Sequence, residues 1–142
     1  MIEQFQGGYR WLSNMIILDV PIVDDFGIKY YSTENYYQAA KSLDSNIRQQ
    51  IASLEPRKSK TYGRTIEIRP DWDQVKDDVM YTANKLKYQQ LRFKQWLIQT
   101  GSENIQEGNT WGDTYWGICL KTNKGQNKLG KLLMLIRDEV NK

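Results

Sequence analysis

Residues 32–41 read Ser-Thr-Glu-Asn-Tyr-Tyr-Gln-Ala-Ala-Lys. Either of the first two residues, Ser32 or Thr33, can cap a helix, and we predict one that runs from there to about Leu43. Residues three or four positions apart lie on the same face of a helix. The run therefore has two stripes: a polar one of Glu34, Gln38 and Lys41, and one suited to burial of Tyr36, Ala40 and Leu43.

The polar stripe has two interpretations. The more common meaning of such spacing is a solvated face with ordinary helix-pair stabilisation. The alternative is that Glu34 faces a pocket in which Gln38 and Lys41 position a substrate. Because the helix dipole favours an ionised carboxylate in the first turn, Glu34 suits the stabilisation of a cation or the holding of a water molecule.

Local signals predict the remaining elements. We expect strands at 15–18 and 28–31 around a turn region at 21–27, helices at 46–54 and, in two segments, 71–100, and a last helix after 127. Asp71 with Gln74 three residues later resembles a capping box, and Gly101 is a natural helix stop. The expected fold class is α+β, mainly helical with a small sheet, in a single domain of residues 1–142.

The composition excludes several kinds of chemistry. The chain has 142 residues, one cysteine and no histidine, and its hydrophobic and charged fractions, 39% and 26%, are those of a globular domain. Without histidine, the lone Cys119 cannot form a Cys/His pair, a Ser/His/Asp triad is impossible and the commonest zinc ligand is missing. We therefore expect no metal and no organic cofactor, and assign any acid–base step to carboxylates, lysines or tyrosines.

Charge and hydropathy give weaker indications. A net charge of +3 permits attraction to a phosphate-bearing substrate but is too small to indicate a general nucleic-acid binder. No apolar run approaches the roughly 20 residues that span a bilayer, and the start of the chain does not resemble a secretory signal. We expect a cytoplasmic protein that does not bind membranes.

A glycine-rich stretch near the C-terminus has the composition of a ligand site. Residues 111–117 read Trp-Gly-Asp-Thr-Tyr-Trp-Gly, with Glu107 before them and Gly-Gln-Asn-Lys-Leu-Gly at 125–130. Two indoles and a carboxylate in a loop predict a site for a flat, polar ligand, since loops often carry function. Simple packing of the tryptophans is the alternative, and Trp96, on a predicted helix, is expected in the core.

A basic segment precedes the third helix. Residues 57–64, Arg-Lys-Ser-Lys-Thr-Tyr-Gly-Arg, place four cations and a glycine between predicted helices. Such a segment suits phosphate recognition, although a basic surface loop is the more common meaning. The glycine spacing of a Walker motif is missing, so a nucleotide triphosphatase is not supported.

Together these motifs resemble one family over nearly the whole chain, the NADAR proteins with their YbiA-like N-glycosidases. The matching positions follow one order along the sequence: 9–14, 32–41, Lys60, 63–64, 71–72, Met80, 87–88, Gln90, 100–101, Glu107, Asp113, 116–117, Gly125, Asn127, 129–130, 132–134 and Arg137. No single motif is decisive, but so many in one order are specific. Asn35, where relatives often have histidine, and Met15, where they often have an aromatic residue, depart from the pattern and bear on substrate choice.

The resemblance implies a hydrolase of N-glycosidic bonds in molecules related to ADP-ribose or nucleotides. It implies Glu34 as the principal catalytic carboxylate and Asp113 in support. Such roles fit the reaction, because a carboxylate stabilises the positive charge that develops on the ribose or orients the attacking water. The predicted substrate-binding residues are Arg10, Ser13, Asn14, Gln38, Lys41, Lys60, Arg64, Trp72, Trp111, Trp116 and Asn127.

Three functions remain open from the sequence. The leading one removes ADP-ribose from guanine bases in DNA, so that the partner is an ADP-ribose-containing substrate. The second cleaves phosphoribosylated intermediates of riboflavin synthesis. The third is a non-catalytic module that binds ADP-ribose or NAD, which would not need Glu34 and Asp113 together.

Overall fold

The computed structural model describes residues 1–142 and divides the chain into two compact units. One unit, here the helical unit, is Asn14–Gln90; the other, here the terminal unit, combines Met1–Ser13 with Leu91–Lys142. Helices dominate and the strands are two residues long, which confirms the prediction of a mainly helical α+β fold. No helix is both long and apolar enough to cross a membrane.

The helical unit contains one hairpin and four helices. Its elements are β1 (Ile22–Val23), β2 (Lys29–Tyr30), α1 (Thr33–Ala39), α2 (Ser45–Ala52), α3 (Pro56–Gly63) and α4 (Trp72–Lys87). The two strands pair antiparallel, with Ile22 opposite Tyr30. Helix α1 packs against α2, α3 and α4, so it lies at the centre of this unit.

Local chemistry fixes the start of α1. The Ser32 hydroxyl accepts the backbone N–H of Asn35, as the capping prediction requires. The Asn35 amide in turn donates to the carbonyls of Ile51 and Leu54, which satisfies groups at the end of α2. Six of the seven residues of α1 are buried, which is unusual for a helix with so many polar side chains.

An ion pair anchors the hairpin to α2. Arg48 is only 3% exposed and donates through Nη1 to Asp24 and Asp25, both at 3.0 Å, and through Nε to the Ser42 carbonyl at 2.7 Å. Asp24 also accepts the Tyr30 hydroxyl at 2.7 Å. The guanidinium is thus paired and hydrogen-bonded, the condition under which a buried charge is tolerated.

The terminal unit combines a 3-10 helix (Gly7–Leu12), α5 (Leu91–Gln99), β3 (Gly108–Asn109), β4 (Ile118–Cys119) and α6 (Lys128–Val140). Strands β3 and β4 pair parallel, and α5 packs against α6. The fully buried side chains of Phe93, Leu97, Leu133 and Ile136 form the core between these helices. Gly101, with φ of +64°, follows α5 and confirms the predicted stop.

Three predicted boundaries are wrong. Residues 15–18 do not form a strand, and β1 lies instead at 22–23, within the predicted turn region. Of residues 15–18, Leu18 bonds to the hairpin segment, through its N–H to the Tyr31 carbonyl. Helix α1 ends at Ala39 rather than near Leu43, since the amides of Lys41 and Ser42 bond to carbonyls three residues back and tighten the last turn. Leu43 is consequently 56% exposed and not part of a buried stripe.

Two further expectations are corrected near α3 and α4. The basic segment is not a loop: residues 57–63 belong to α3 and Arg64 is its C-cap, while Pro56 is the first helical residue, a position where the missing N–H costs nothing. Asp71 stands at the N-cap of α4 but makes no side-chain cap, because its carboxylate accepts two bonds from Arg69, at 2.6 and 2.9 Å. The ion pair with Arg69 therefore replaces the predicted capping box.

Candidate active site

Glu34 is a buried carboxylate in the first turn of α1. It is 6% exposed, its backbone N–H donates to the Asn14 carbonyl at 3.1 Å, and its Oε1 accepts a hydrogen bond from Gln38 Nε2 at 3.3 Å. Gln38, one turn later, is 4% exposed. A solvated face is therefore the wrong interpretation of the stripe at these two positions, and the pocket-facing alternative remains.

The Gln38 amide is held between α1 and α3. Its Oε1 is buried without a hydrogen-bond partner, although its Nε2 binds Glu34. A Cβ atom placed on Gly63 of α3 would lie 2.0 Å from this oxygen, so only glycine leaves the amide its space. The hydroxyl of Ser59, one turn earlier on α3, is also buried without a partner. Buried oxygens without a partner are rare in folded proteins, so the packing of α1 on α3 leaves two polar groups that the helices themselves do not satisfy.

Three cations act on the same region. Lys41 is half-buried, and burial is the main cause that lowers the pKa of its ammonium group. The Glu34 carboxylate raises this pKa, and the positive charges of Arg64 and Lys60 lower it further. Lys41 Nζ lies 5.7 Å from the centre of the Tyr37 ring. The predicted residues Glu34, Gln38, Lys41, Lys60 and Arg64 thus form one cluster, here the carboxylate–cation cluster.

Two other predicted residues of the helical unit are engaged in packing. Trp72 is 8% exposed, and its ring meets Tyr37 edge-on at 5.1 Å between centroids, which leaves little surface for stacking on a ligand. The Asn14 side chain accepts from the Thr33 hydroxyl at 2.7 Å and donates to Met80 Sδ at 3.4 Å. Asn14 therefore fixes the start of α1, and with it the backbone of Glu34.

Asp113 lies in the glycine-rich loop of the terminal unit. Its Oδ1 accepts the backbone N–H groups of Tyr115 and Trp116, each at 3.0 Å. This is the local turn that Asp side chains favour, and it holds the carboxylate in one orientation. Asp113 and Trp116 are accordingly positioned by the same turn.

Asn109 organises this loop, and sequence reasoning missed it. The side chain is 1% exposed; Nδ2 donates to Glu107 Oε2 at 3.0 Å and to the Asp113 carbonyl at 2.9 Å, while Oδ1 accepts the Asp113 N–H at 3.0 Å. Its position between Gly108 and the tryptophan loop was the available signal, because asparagine can bond to backbone groups on both sides of a turn.

The two loop tryptophans differ in exposure. Trp111 is 61% exposed, whereas Trp116 is half-buried and meets Tyr115 edge-on at 4.9 Å between centroids. Lys128 Nζ lies 4.6 Å from the centre of the Tyr115 ring. An aromatic and cationic surface thus adjoins Trp116.

Asn127 closes the loop instead of capping α6 with its side chain. It stands at the N-cap with φ of 52°, but its Oδ1 accepts the Glu107 N–H and its Nδ2 donates to the Ile105 carbonyl, both at 2.9 Å. Asn127 therefore occupies the N-cap position of α6, while its side chain holds the loop at Ile105 and Glu107. Glu107 takes part in the same structure through its backbone and its bond from Asn109.

Arg10 and Ser13 belong to the 3-10 helix and its end. Arg10 is exposed, and the Ser13 N–H donates to the Arg10 carbonyl at 3.0 Å, which ends the helix. The predicted residues therefore divide between the two units: the carboxylate–cation cluster with Asn14 and Trp72 in one, and Arg10, Ser13, Trp111, Asp113, Trp116 and Asn127 in the other. No group of three or more Cys, Asp or Glu side chains is arranged to hold a metal ion.

Known proteins resemble this chain in sequence and in structure. An N-glycosidase of Nostoc punctiforme is 38% identical over 119 residues, 78% of this chain and 75% of the relative. N-glycosidase YbiA of Escherichia coli is 33% identical over 118 residues, 80% and 72% of the two chains. The NMR structure of the E. coli protein YbiA superposes with a TM-score of 0.82 at 30% identity, covering 99% of this chain and 87% of that one.

A more distant relative is the maize riboflavin biosynthesis protein PYRR, 32% identical over 123 residues, which are 77% of this chain and 19% of that protein. The named N-glycosidases confirm the predicted enzyme class, a hydrolase of N-glycosidic bonds. The NADAR domain model matches residues 3–141. The chain therefore belongs to the NADAR domain family.

Proposed function

We propose that this N-glycosidase removes ADP-ribose from guanine bases in DNA, with Glu34 as its principal catalytic carboxylate. The observation that carries the proposal is the carboxylate–cation cluster. It combines a buried Glu34, oriented by Gln38, with a half-buried Lys41 under the influence of Lys60 and Arg64. Negative charge for a developing cation and positive charge for phosphates are the two requirements of such a substrate.

The reaction is a hydrolysis. The bond between C1′ of the ribose and the base nitrogen breaks, its electron pair leaves with the base, and water supplies a hydroxyl to C1′ and a proton to the base. Positive charge builds on the ribose ring in between, and a fixed carboxylate stabilises it. Because Glu34 is buried and its Oε1 is held by Gln38, the carboxylate needs little reorganisation during the reaction.

Lys41, Lys60 and Arg64 are proposed to bind the phosphates of the substrate. Guanidinium and ammonium groups are the common partners of phosphate oxygens, and Arg64 is exposed enough to reach a ligand. Burial is the main reason that the pKa of the Lys41 ammonium is lowered, and the nearby charges of Arg64 and Lys60 act in the same direction, so a bound phosphate would offset positive charge that gathers around Lys41.

A second candidate is hydrolysis of a phosphoribosylated intermediate of riboflavin synthesis. The maize relative named for riboflavin biosynthesis favours it. The phosphoribosylated intermediate is smaller but also carries a ribose–nitrogen bond and a phosphate, so the carboxylate–cation cluster could bind and hydrolyse it in the same way. The two candidates differ in whether the substrate is attached to DNA.

A comparison of kcat/KM on the two substrates separates the candidates. The protein is incubated with an oligonucleotide carrying ADP-ribosylated guanine and, separately, with the phosphoribosylated aminopyrimidine precursor, and released ADP-ribose or ribose phosphate is measured by chromatography. A higher kcat/KM on the oligonucleotide supports the leading proposal, and a higher value on the precursor replaces it with the second.

Glu34→Gln tests the catalytic assignment. The amide has the shape of the carboxylate and can still accept from Gln38, so we expect a folded protein with kcat reduced by about 10²–10³-fold. Glu67→Gln, at an exposed position of the same unit, is the matched control and should keep full activity. Full turnover by a folded Glu34→Gln variant would sink the assignment.

Asp113 is proposed as the supporting carboxylate. Asp113→Asn keeps an acceptor for the N–H groups of Tyr115 and Trp116, whereas Asp113→Ala removes it. If the charge of Asp113 serves the reaction, both variants lose kcat. If Asp113 only builds the loop, Asp113→Asn stays active and Asp113→Ala alone is impaired.

A further inference from the structure

The terminal unit contains a cavity that the proposed chemistry does not use. It has a volume of about 470 Å³ and is lined by Gly8, Tyr9, Trp11, Trp96, Gln99 and Thr100. The 3-10 helix supplies one wall and the end of α5 the other. Its volume falls in the range of about 300–1,000 Å³ that small-molecule ligands occupy.

The walls of this cavity are aromatic. The rings of Trp11 and Trp96 lie 5.6 Å apart between centroids at 49°, and Phe93, fully buried, meets Trp96 edge-on at 5.9 Å. Trp96 is half-buried rather than part of the core, contrary to the expectation from its helical position, and Tyr9 is 44% exposed. Phe93 thus supports the Trp96 ring from the core and is not among the residues that line the cavity.

The aromatic walls carry positive charge. The Arg92 guanidinium lies 4.9 Å from the centre of the Trp96 ring, within cation–π distance, and Arg10 is exposed next to Trp11. The 3-10 helix Gly7–Leu12 and α5 contain no aspartate or glutamate, whereas α5 adds Lys94. Indoles and cations on these two elements are complementary to a ligand with flat rings and phosphates.

We propose that this cavity binds an unpaired nucleotide of single-stranded DNA, whose base stacks on Trp11 with Trp96 as the adjoining wall and whose phosphate contacts Arg10 or Arg92. Bases of a duplex are already stacked on one another, so an indole wall selects the single strand. The exposed Gln99 amide offers hydrogen bonds to a base edge without demanding one sequence. The inference rests on the proposed function, in which the substrate is attached to DNA.

Binding of unmodified DNA tests the site without any turnover. Affinity for a fluorescently labelled 12-nucleotide single strand, about as long as common single-strand binding sites, is measured by anisotropy at low salt. We expect Trp11→Ala to weaken binding at least fivefold, roughly the loss of one stacked base, and Trp11→Phe to retain most of the affinity. Arg92→Gln should weaken binding and make it less dependent on salt.

Matched controls separate stacking and charge from general effects. Tyr31→Ala removes an aromatic ring that is 50% exposed in the helical unit, and Lys131→Gln removes an exposed cation of α6. Neither should change the affinity. Unchanged binding by both Trp11→Ala and Arg92→Gln overturns the proposal, as does duplex DNA binding as tightly as the single strand. Trp11→Phe keeps an aromatic ring against Trp96, so it remains a usable variant if Trp11→Ala does not fold.

Two results distinguish failure of this binding site from failure of the proposed function. If the wild-type protein releases no ADP-ribose from DNA while single-strand binding still depends on Trp11, the proposed function fails and the site stands. If ADP-ribose is released and Trp11→Ala leaves KM for the oligonucleotide unchanged, the site fails. The expected result is a raised KM for the oligonucleotide with kcat retained.

Discussion

We expect the effect of Gly63→Ala on the free energy of unfolding to depend on residue 38: destabilising in the wild type and stabilising in a Gln38→Ala background. In an ordinary helix the replacement is stabilising by up to about 1 kcal/mol. Here the new Cβ would lie 2.0 Å from Gln38 Oε1 and 2.9 Å from its Cδ, so the amide must move. Overpacking of this kind costs about 1–3 kcal/mol, and we therefore expect a net loss of about 0–2.5 kcal/mol in the wild-type background.

Shortening Gln38 removes the conflict. In a Gln38→Ala background only the Gln38 Cβ remains near the new methyl group, at 3.4 Å, which is close to ordinary contact. Gly63→Ala should then stabilise the protein by about 0.5–1 kcal/mol. The coupling energy between the two positions is the difference between the two effects, about 1–3 kcal/mol.

The assay is a double-mutant cycle by urea unfolding, since a chain of this size is expected to unfold cooperatively. Each kcal/mol corresponds to about 3–5 °C in Tm for a chain of this length, so thermal unfolding is a second measure. Turnover of the single Gly63→Ala variant should fall about tenfold or more, because the amide that holds Glu34 moves. An effect of the same sign and size in both backgrounds would refute the reasoning.

Three further predictions concern the charges and the loop. Lys41→Met should raise Tm at pH 7 and raise KM for phosphate-bearing substrates. Burial lowers the pKa of Lys41 in the folded protein below its unfolded value. The wild type therefore gains stability as the pH rises from the folded to the unfolded pKa, and the stability advantage of the variant in pH-dependent unfolding should shrink over that range. Asp24→Asn should cost about 3 kcal/mol in urea unfolding by weakening the pair with Arg48. Burial raises the Asp24 pKa, but bonds from Tyr30, Arg48 and two backbone amides lower it overall; the wild-type advantage should therefore be full above the unfolded pKa of about 4 and disappear as pH falls through the folded value. Asn109→Ala removes three hydrogen bonds that hold the loop of Asp113 and should increase hydrogen exchange of the amides at 113–116, whereas unchanged protection would contradict its organising role.

Local signals in the sequence predicted five of the six α-helices, whereas α3 was expected as a segment between helices. Ser32 caps α1, Gly101 follows α5 and α6 begins directly after Asn127, and each of these depends on the preference of a few adjacent residues. The predictions that failed depended on side-chain or strand partners, which the preferences of single residues do not reveal. Asp71 lost its capping role to Arg69, and the run at 15–18 had no strand with which to pair.

The surroundings of the carboxylate–cation cluster were less accessible to sequence reasoning. The spacing of Glu34, Gln38 and Lys41 placed them on one helix face, but spacing does not reveal what covers that face. The burial of Gln38 depends on the absence of a side chain at Gly63, which lies 25 positions further along the chain. Asn109 and Asn127 act through bonds to backbone groups, which leave no periodic pattern.

Helix α1 carries the proposed catalytic carboxylate and is also the segment around which the other helices of its unit pack. A replacement at almost any of its seven positions would therefore alter folding and chemistry together. Replacements that alter substrate specificity are better tolerated outside α1, at exposed positions such as Arg64 and Trp111, which can change without disturbing the core. Libraries for altered specificity should accordingly be built at such exposed positions.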